Sequence, residues 1–219
     1  GSSGGSDYGS NVAVTTHGQT IATGGANAAA VIAQSVGASG VYYAQTNTAA
    51  QGSIHATFNL GSGLGSGNGG VSQSDSVKVT LGSGGATTID TSGANAFGVV
   101  AQSVGAGGGI YAIATQSTGG SIDSSRLGAR GGGGVGLATT VTGAANITTR
   151  GTNALGVVAQ SISGGGGIAV VAGQSGSTGY SGPVTLGTYA GGGGNGGVVN
   201  VNLTGGSITT GGVFAPGLV

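Results

Sequence analysis

One phrase occurs three times in the chain, and its last version reads Gly151-Thr152-Asn153-Ala154-Leu155-Gly156-Val157-Val158-Ala159-Gln160-Ser161. The other two versions are residues 25–35 and 93–103, and in each the Asn stands seven residues before the Gln. The Gln residues are 68 and 58 positions apart (102 − 34 and 160 − 102), so the period is near 60. A fixed internal period is typical of repeat architectures in which each unit stacks on its neighbours.

The rest of each repeat is periodic as well. A Leu-Gly pair begins at Leu60, Leu127 and Leu186. An Ile-x-Thr segment precedes each phrase, and a fourth such segment at Ile208 begins a further copy. We therefore expect a single solenoid over 1–219, with repeats at approximately 10–76, 77–134 and 135–197 and an incomplete repeat at approximately 198–219. Because the chain stops inside a repeat, we interpret it as a fragment of a longer array.

Composition permits a thin aliphatic core and excludes several classes of protein. Glycine supplies 56 of 219 residues, charged residues are 4% of the chain, and the net charge is zero. The apolar fraction of 37% argues against disorder, which needs low hydrophobicity with high net charge. Neutrality argues against a nucleic-acid partner, and the absence of cysteine excludes disulfides and thiolate metal sites.

The local pattern predicts an all-β fold. Short runs of Val and Ile bounded by Gly, Asn and Ser are typical of strands, and glycine is too frequent for helix interiors. We predict a right-handed parallel β-helix with glycine-rich excursions. A coil of about 20 to 30 residues would give two or three coils per repeat. The main structural alternative is an antiparallel sandwich, whose strands are also short.

One strand of each repeat is apolar on both faces. Val99-Val100-Ala101 and 168–172 are apolar at consecutive positions, although strand residues alternate between faces. The outer face therefore needs a cover, either from the glycine-rich excursion of the same repeat, which we favour, or from a neighbouring chain. If this face were left uncovered, self-association would follow.

At these residues the chain resembles the glycine-rich, β-helical passenger regions of large Gram-negative autotransporters, which are secreted adhesins. The shared phrase is Ile-x-Thr-x-Gly, a small turn, Gly-Val/Ile-Val-Ala-Gln-Ser-Val/Ile and a glycine run, and 159–167 matches it best. Departures are 37–40, which lacks the glycine run, and Phe214 and Pro216, which replace the Asn and its second neighbour.

The resemblance implies an extracellular, fibre-like segment at the bacterial cell surface that supports adhesion, biofilm formation or display of a distal tip. The partners it implies are the chain itself or a host or abiotic surface. This segment would contact no membrane, although the parent chain would be anchored in the outer membrane. The resemblance implies no catalytic site, so we expect a protein that is not an enzyme.

The titratable residues do not form a recognisable catalytic or metal-binding pattern. Asp90 takes a slot held by other residues in the other repeats, which favours a solvated strand position. His17 falls in a turn between the first two strands, and His55 is isolated. The glycine runs carry no Asp for calcium. We expect no cofactor, metal or catalytic residue.

The recurring polar and aromatic residues have structural explanations beside functional ones. Asn27, Asn95 and Asn153 are expected at corners, bonding their own backbone. The Gln of each phrase, followed by Ser, is expected to satisfy backbone groups where the strand ends. Tyr42 and Tyr111 align, and we name them as candidate surface contacts for a carbohydrate or another fibre, although packing beneath the glycine excursion is the favoured alternative.

Two functions from other classes remain as alternatives. A solenoid binding module for glycan or ice would use Thr23, Thr91, Thr149 and Thr210 as an array, which would be sparse if each repeat formed several coils. A β-helical polysaccharide-degrading enzyme would need an acidic or basic cluster in a groove, and finding Asp90 or Asp123 isolated would remove it.

Overall fold

The structure is a computed structural model that describes ten segments of the chain. These are residues 9–37, 40–47, 57–60, 72–105, 108–115, 124–127, 134–164, 166–172, 184–186 and 194–219. They form seventeen strands, and these segments contain no helix. The predicted all-β class is therefore confirmed over the described residues.

The strands follow the repeats, with β1–β6 in the first, β7–β12 in the second, β13–β16 in the third and β17 in the fourth. They are β1 (Val12–Thr15), β2 (Thr20–Thr23), β3 (Val31–Val36), β4 (Gly40–Asn47), β5 (Thr57–Leu60), β6 (Ser72–Gln73), β7 (Val77–Leu81), β8 (Thr87–Thr91), β9 (Val99–Val104), β10 (Gly108–Thr115), β11 (Ser124–Leu127), β12 (Gly134–Val135), β13 (Thr139–Thr149), β14 (Val157–Ile162), β15 (Gly167–Ala172), β16 (Val184–Leu186) and β17 (Val199–Thr210).

Every pair of neighbouring strands is parallel and joins equivalent residues of successive repeats. Leu127 pairs with both Leu60 and Leu186, and Gln102 pairs with Gln34 and Gln160. Outside β4, this register is the one that the sequence alignment predicts, and the parallel pairing excludes the antiparallel sandwich for the described strands. The arrangement is consistent with a parallel β-solenoid.

The number of coils per repeat was predicted wrongly. Val77 pairs directly with Val12 in the repeat before and with Thr139 in the repeat after, so one repeat makes one coil rather than two or three. The coil is large because a complete repeat supplies about six strands that fold into layers, and not the three walls of a small β-helix.

Three sheets form layers with an apolar core on each side of the middle one. We call them the front sheet (β1, β2, β7, β8, β13 and β17), the middle sheet (β3, β9 and β14) and the back sheet (β4, β10 and β15). The first core lies between front and middle sheets and includes Val79, Ile89 and Val99, all fully buried. The second lies between middle and back sheets and includes Val100 and Ile110.

The cover for the doubly apolar strand is intramolecular, as favoured from the sequence, although the covering residues that the structure describes belong to the back sheet and not to the glycine run. Val100 and Val158 are fully buried against the back sheet, which follows the glycine run of the same repeat. Their equivalent in the first coil, Ile32, is 42% exposed. Since the outer face is covered in the second and third coils, it offers no general basis for self-association.

Close approach of the coils requires glycine as the first residue of the second and third phrases. Gly93 and Gly151 lie one above the other, and a Cβ added to Gly151 would overlap the carbonyl oxygen of Gly93. The neighbouring atom is backbone and cannot move aside cheaply. A side chain here would therefore separate two coils that the strands on either side hold in hydrogen-bonding contact.

Candidate functional site: polar ladders and the front face

Within the described residues, no group of three or more His, Asp or other ligating side chains could hold a metal ion. His17 lies exposed in the turn between β1 and β2, as expected, with its ring Nδ1 3.3 Å from the carbonyl oxygen of Ser83. His55 and Asp123 lie outside the described residues.

Asp90 is a partly exposed strand residue, as the sequence predicts, but it has a partner that the sequence did not reveal. It stands beside Ala22 and Thr148 in the sheet, and its carboxylate accepts a hydrogen bond from Arg150 of the next coil. The side chains of Arg150 and Asp90 are 54% and 39% exposed. An ion pair this exposed contributes about 1 kcal/mol at most and joins two coils.

The predicted equivalence of the two tyrosines is wrong by one residue. Tyr42 pairs with Ile110, whereas Tyr111 pairs with Tyr43. Because side chains alternate along a strand, a shift of one residue places Tyr42 and Tyr111 on opposite faces of the back sheet. The alignment failed because the first coil has Val41 where the second has Gly109, so the apolar run begins one position earlier.

Neither tyrosine forms the exposed aromatic contact that we named as a candidate. Tyr42 is half-buried, and its ring meets that of Phe97 edge-on at a centroid distance of 6.2 Å. Its hydroxyl donates to the carbonyl oxygen of Asn27 at 3.1 Å, and burial raises the pKa of Tyr42 to about 12. Tyr111 has no exposed surface. Both rings thus serve packing, which corrects the surface-contact prediction.

The recurring Asn residues occupy corners, as predicted, but their side chains bond between coils. Asn27, Asn95 and Asn153 have φ values of 61°, 53° and 53°, in the left-handed region that Asn tolerates. The Asn95 amide donates to Asn27 Oδ1 at 3.0 Å and to the Ile113 carbonyl oxygen at 2.8 Å. Asn153 Nδ2 lies 3.4 Å from Asn95 Oδ1. We call this column the Asn ladder.

The Gln residues form a second column, which we call the Gln ladder. Gln34 Nε2 donates to Gln102 Oε1 at 2.5 Å, and Gln102 Nε2 donates to Gln160 Oε1 at 2.7 Å. The sequence interpretation had assigned these amides to backbone groups. An amide carries both donors and acceptors, so identical residues in register can bond along the stack.

The Ser after each Gln closes its own coil. The hydroxyl oxygen accepts a backbone N–H from the segment that leads into the next coil: Asp75 to Ser35 at 2.8 Å, Leu137 to Ser103 at 2.8 Å and Gly197 to Ser161 at 2.7 Å. The expectation that the phrase satisfies backbone groups thus holds for its Ser. The recurrence of Ser after each Gln indicated this role, although the sequence did not reveal which backbone N–H group each Ser would bind.

The Thr array proposed for glycan or ice binding points inward. Thr23 and Thr91 each donate to a carbonyl oxygen five residues later, at Ala28 and Ala96, both at 2.6 Å, and Thr149 donates likewise to Ala154. Thr91 and Thr149 have no exposed surface. These hydroxyls brace the corner, and those of Thr91 and Thr149 are not accessible to a ligand. The sparse spacing was also wrong, since successive coils place them about 4.8 Å apart.

A different set of residues faces outward from the front sheet, and we call this surface the front face. Alternate residues of its strands are exposed or half-buried, whereas those between them enter the first core. In register they form four columns: Ala13, Lys78, Thr140 and Asn200; Thr15, Thr80, Thr142 and Asn202; Thr20, Thr88, Asn146 and Ser207; and Ala22, Asp90, Thr148 and Thr209.

Comparisons of the chain with protein-family models, with curated proteins and with solved structures find no match. In the described segments, no helix has the length and apolar character needed to span a membrane. The functional argument therefore depends on the residues and geometry of this chain.

Proposed function

We propose that the chain is a non-enzymatic structural and adhesive segment of a secreted autotransporter passenger at the bacterial cell surface. In this proposal its coils wind as a right-handed parallel β-helix and support adhesion or biofilm formation. The parent chain is anchored in the outer membrane, and the segment itself uses no cofactor. The resemblance of 159–167 to such passengers supports the family and the location.

One observation carries the structural part of the proposal: successive repeats stack in parallel and in register, one coil per repeat. Each coil adds about 4.8 Å to the stack for roughly 60 residues, so the rod is thick for its length. Backbone bonds cross every junction, and two amide ladders and two cores cross the junctions between the first three coils. Such a rod suits a stiff support that holds a surface away from the cell.

The charges support an interfacial function. The front face carries one lysine, Lys78, and one carboxylate, Asp90, and Asp90 forms an ion pair with Arg150. Its remaining side chains are hydroxyls, amides and alanine. Low charge removes electrostatic repulsion between this surface and an uncharged partner or neighbouring fibre.

A degradative enzyme is less well supported. In the described part of the chain, Asp75 lies between β6 and β7 and Asp90 lies on β8, and the Asp90 carboxylate accepts a hydrogen bond from Arg150. General acid–base hydrolysis needs two carboxyl groups that flank one bond. Neither Asp75 nor Asp90 provides that arrangement.

The test is to display the chain on non-adherent bacteria through an outer-membrane anchor and to count cells retained on glass, plastic and host-cell layers under flow. Cells that carry the anchor alone are the control. We expect several-fold higher retention on at least one surface. Retention equal to that of the anchor alone on every surface would refute the adhesive function. An experimental structure of the chain would show the handedness.

A further inference from the structure

We infer that the front face binds a neutral, hydroxyl-rich polysaccharide chain. This inference rests on the proposed adhesive function and names the class of partner. It concerns a surface distinct from the inward Thr row, and it depends on the outward columns of the front sheet.

The front face presents a periodic polar array on a rigid support. Thr88, Asn146 and Ser207 are exposed neighbours in one column, one from each of three successive coils. Neighbouring side chains lie about 4.8 Å apart between coils and about 6.6 Å apart along a strand. The backbone beneath is fixed by parallel ladders on both sides, and the residues between the columns, such as Ile89 and Ile147, are fully buried. The array is therefore preorganised, and binding needs little ordering of the backbone.

The chemistry of the columns fits a polymer of sugars. Thr and Ser hydroxyls both donate and accept hydrogen bonds, and the Asn amides at 146, 200 and 202 do the same with two donors. Sugar hydroxyls also donate and accept. A polymer with regularly spaced hydroxyls could engage equivalent groups on several coils at once, so weak contacts would add along the chain.

Other partners fit the surface less well. Protein interfaces depend on aromatic, Met and Arg anchors at their centre, and the four columns contain none of these. A nucleic acid or an acidic polysaccharide needs clustered cations, whereas the columns contain only Lys78. An ice lattice favours a uniform row, whereas these columns mix Ala, Lys, Thr, Asn and Asp, and the bonded pair Asp90–Arg150 interrupts them.

The test measures retention of the full chain on insoluble cellulose and on insoluble β-1,3-glucan. The test variant combines Thr88→Val, Thr142→Val and Thr148→Val, which remove three hydroxyls from the front face and keep β-branched side chains suited to strands. The control variant combines Ser83→Ala, Ser92→Ala and Thr152→Val, which remove three hydroxyls from turns beside the sheets. Circular dichroism and urea unfolding verify that both variants retain the fold.

We expect the unaltered chain and the control variant to bind at least one of the two glucans. The test variant should bind about tenfold more weakly or worse, because each lost hydrogen bond weakens binding severalfold. No retention of the unaltered chain on either glucan, or equal retention of a folded test variant, would overturn the inference.

Two further measurements separate this inference from other outcomes. Thermal hysteresis of ice growth by the unaltered chain, without glucan retention, would assign the front face to ice and overturn the polysaccharide inference. Adhesion of displaying cells to glass or plastic without glucan retention would overturn only the partner, whereas failure of both assays would overturn the adhesive function as well.

Discussion

The central rung of the Asn ladder gives the sharpest test of how the coils are held together. Asn95 is fully buried, has a φ of 53° and donates to two acceptors, Asn27 Oδ1 at 3.0 Å and the carbonyl oxygen of Ile113 at 2.8 Å. One side chain thus fixes a corner, joins the first coil to the second and satisfies a buried carbonyl group of the back sheet. Asn95→Ala removes all three contributions.

The magnitude follows from those contributions. Loss of the donor to a buried carbonyl oxygen costs about 1 to 3 kcal/mol, and loss of the bond within the ladder costs about 1 kcal/mol. The left-handed conformation adds about 1 kcal/mol for Ala. We therefore expect Asn95→Ala to lower the free energy of unfolding by about 3 to 5 kcal/mol. Asn95→Gly accepts the same φ and should be less destabilising by about 1 kcal/mol.

The assay is urea unfolding of the full chain followed by far-ultraviolet circular dichroism, with the slope of the transition compared between variants. Asn200→Ala, at an exposed position of β17, is the control and should change stability by no more than about 0.5 kcal/mol. A loss below about 1 kcal/mol for Asn95→Ala would refute the ladder as a stabilising element. Equal losses for Ala and Gly would refute the contribution of the corner conformation.

Three other changes test the same structure. Phe214 takes the fourth rung with a φ of 53° and is 83% exposed, so Phe214→Asn should raise urea stability by about 1 kcal/mol, and a loss would contradict the strain argument. Gly151→Ala places a Cβ against the carbonyl oxygen of Gly93 and should lower the free energy of unfolding by about 2 kcal/mol or more in thermal melts. Gly85→Ala, where an added Cβ meets open space, is the control and should be neutral or stabilising; equal effects of the two changes would refute the close contact. Burial raises the pKa of Tyr42 to about 12 from 10.0, so its contribution to stability is intact below pH 10 and is lost as the pH rises through 12. Tyr42→Phe should lack that loss of stability, and a phenolate absorbance titration in which every tyrosine ionises near pH 10 would contradict the raised pKa.

The sequence predicted the register of the sheets closely, because identical residues recur at equivalent positions. Leu60, Leu127 and Leu186, which align in the sequence, are neighbours in one sheet, and the Ile-x-Thr segments pair in the predicted order. In a parallel stack, equivalent residues of consecutive repeats lie side by side. Aligning the repeats is therefore the same operation as aligning the strands.

The size of the coil could not be derived in the same way. A period gives the number of residues between equivalent positions, but it does not show whether the chain forms one coil or several coils between them. The consecutive apolar residues Val99 and Val100 held the relevant information, since a strand buried on both faces requires a further layer. A coil that must supply a front, a middle and a back sheet needs more residues than a simple β-helix.

The ladders were missed for a related reason. An isolated repeat offers Asn95 or Gln102 only its own backbone, and local capping is then the obvious assignment for Asn. Once the repeats stack one per coil, each amide has an identical amide about 4.8 Å above and below, and the donor of one meets the acceptor of the next. The hydrogen-bond partner of each amide therefore depends on the distance between equivalent residues of successive repeats. Because two or three coils per repeat were predicted, these residues were expected to lie too far apart to bond.

In the stacked strands, the residues that stabilise the fold are separate from those that face solvent. Along β7, Val77, Val79 and Leu81 enter the core, while Lys78 and Thr80 face outward, and β8 alternates likewise. A substitution at an outward position leaves the core and both amide ladders untouched, so the front face can vary in chemistry from coil to coil at little cost in stability. Asp90 among Ala22, Thr148 and Thr209 is an example of such variation. If the front face recognises a polymer, its affinity should therefore grow with the number of coils, whereas its selectivity should depend on which residues each coil contributes to the four columns.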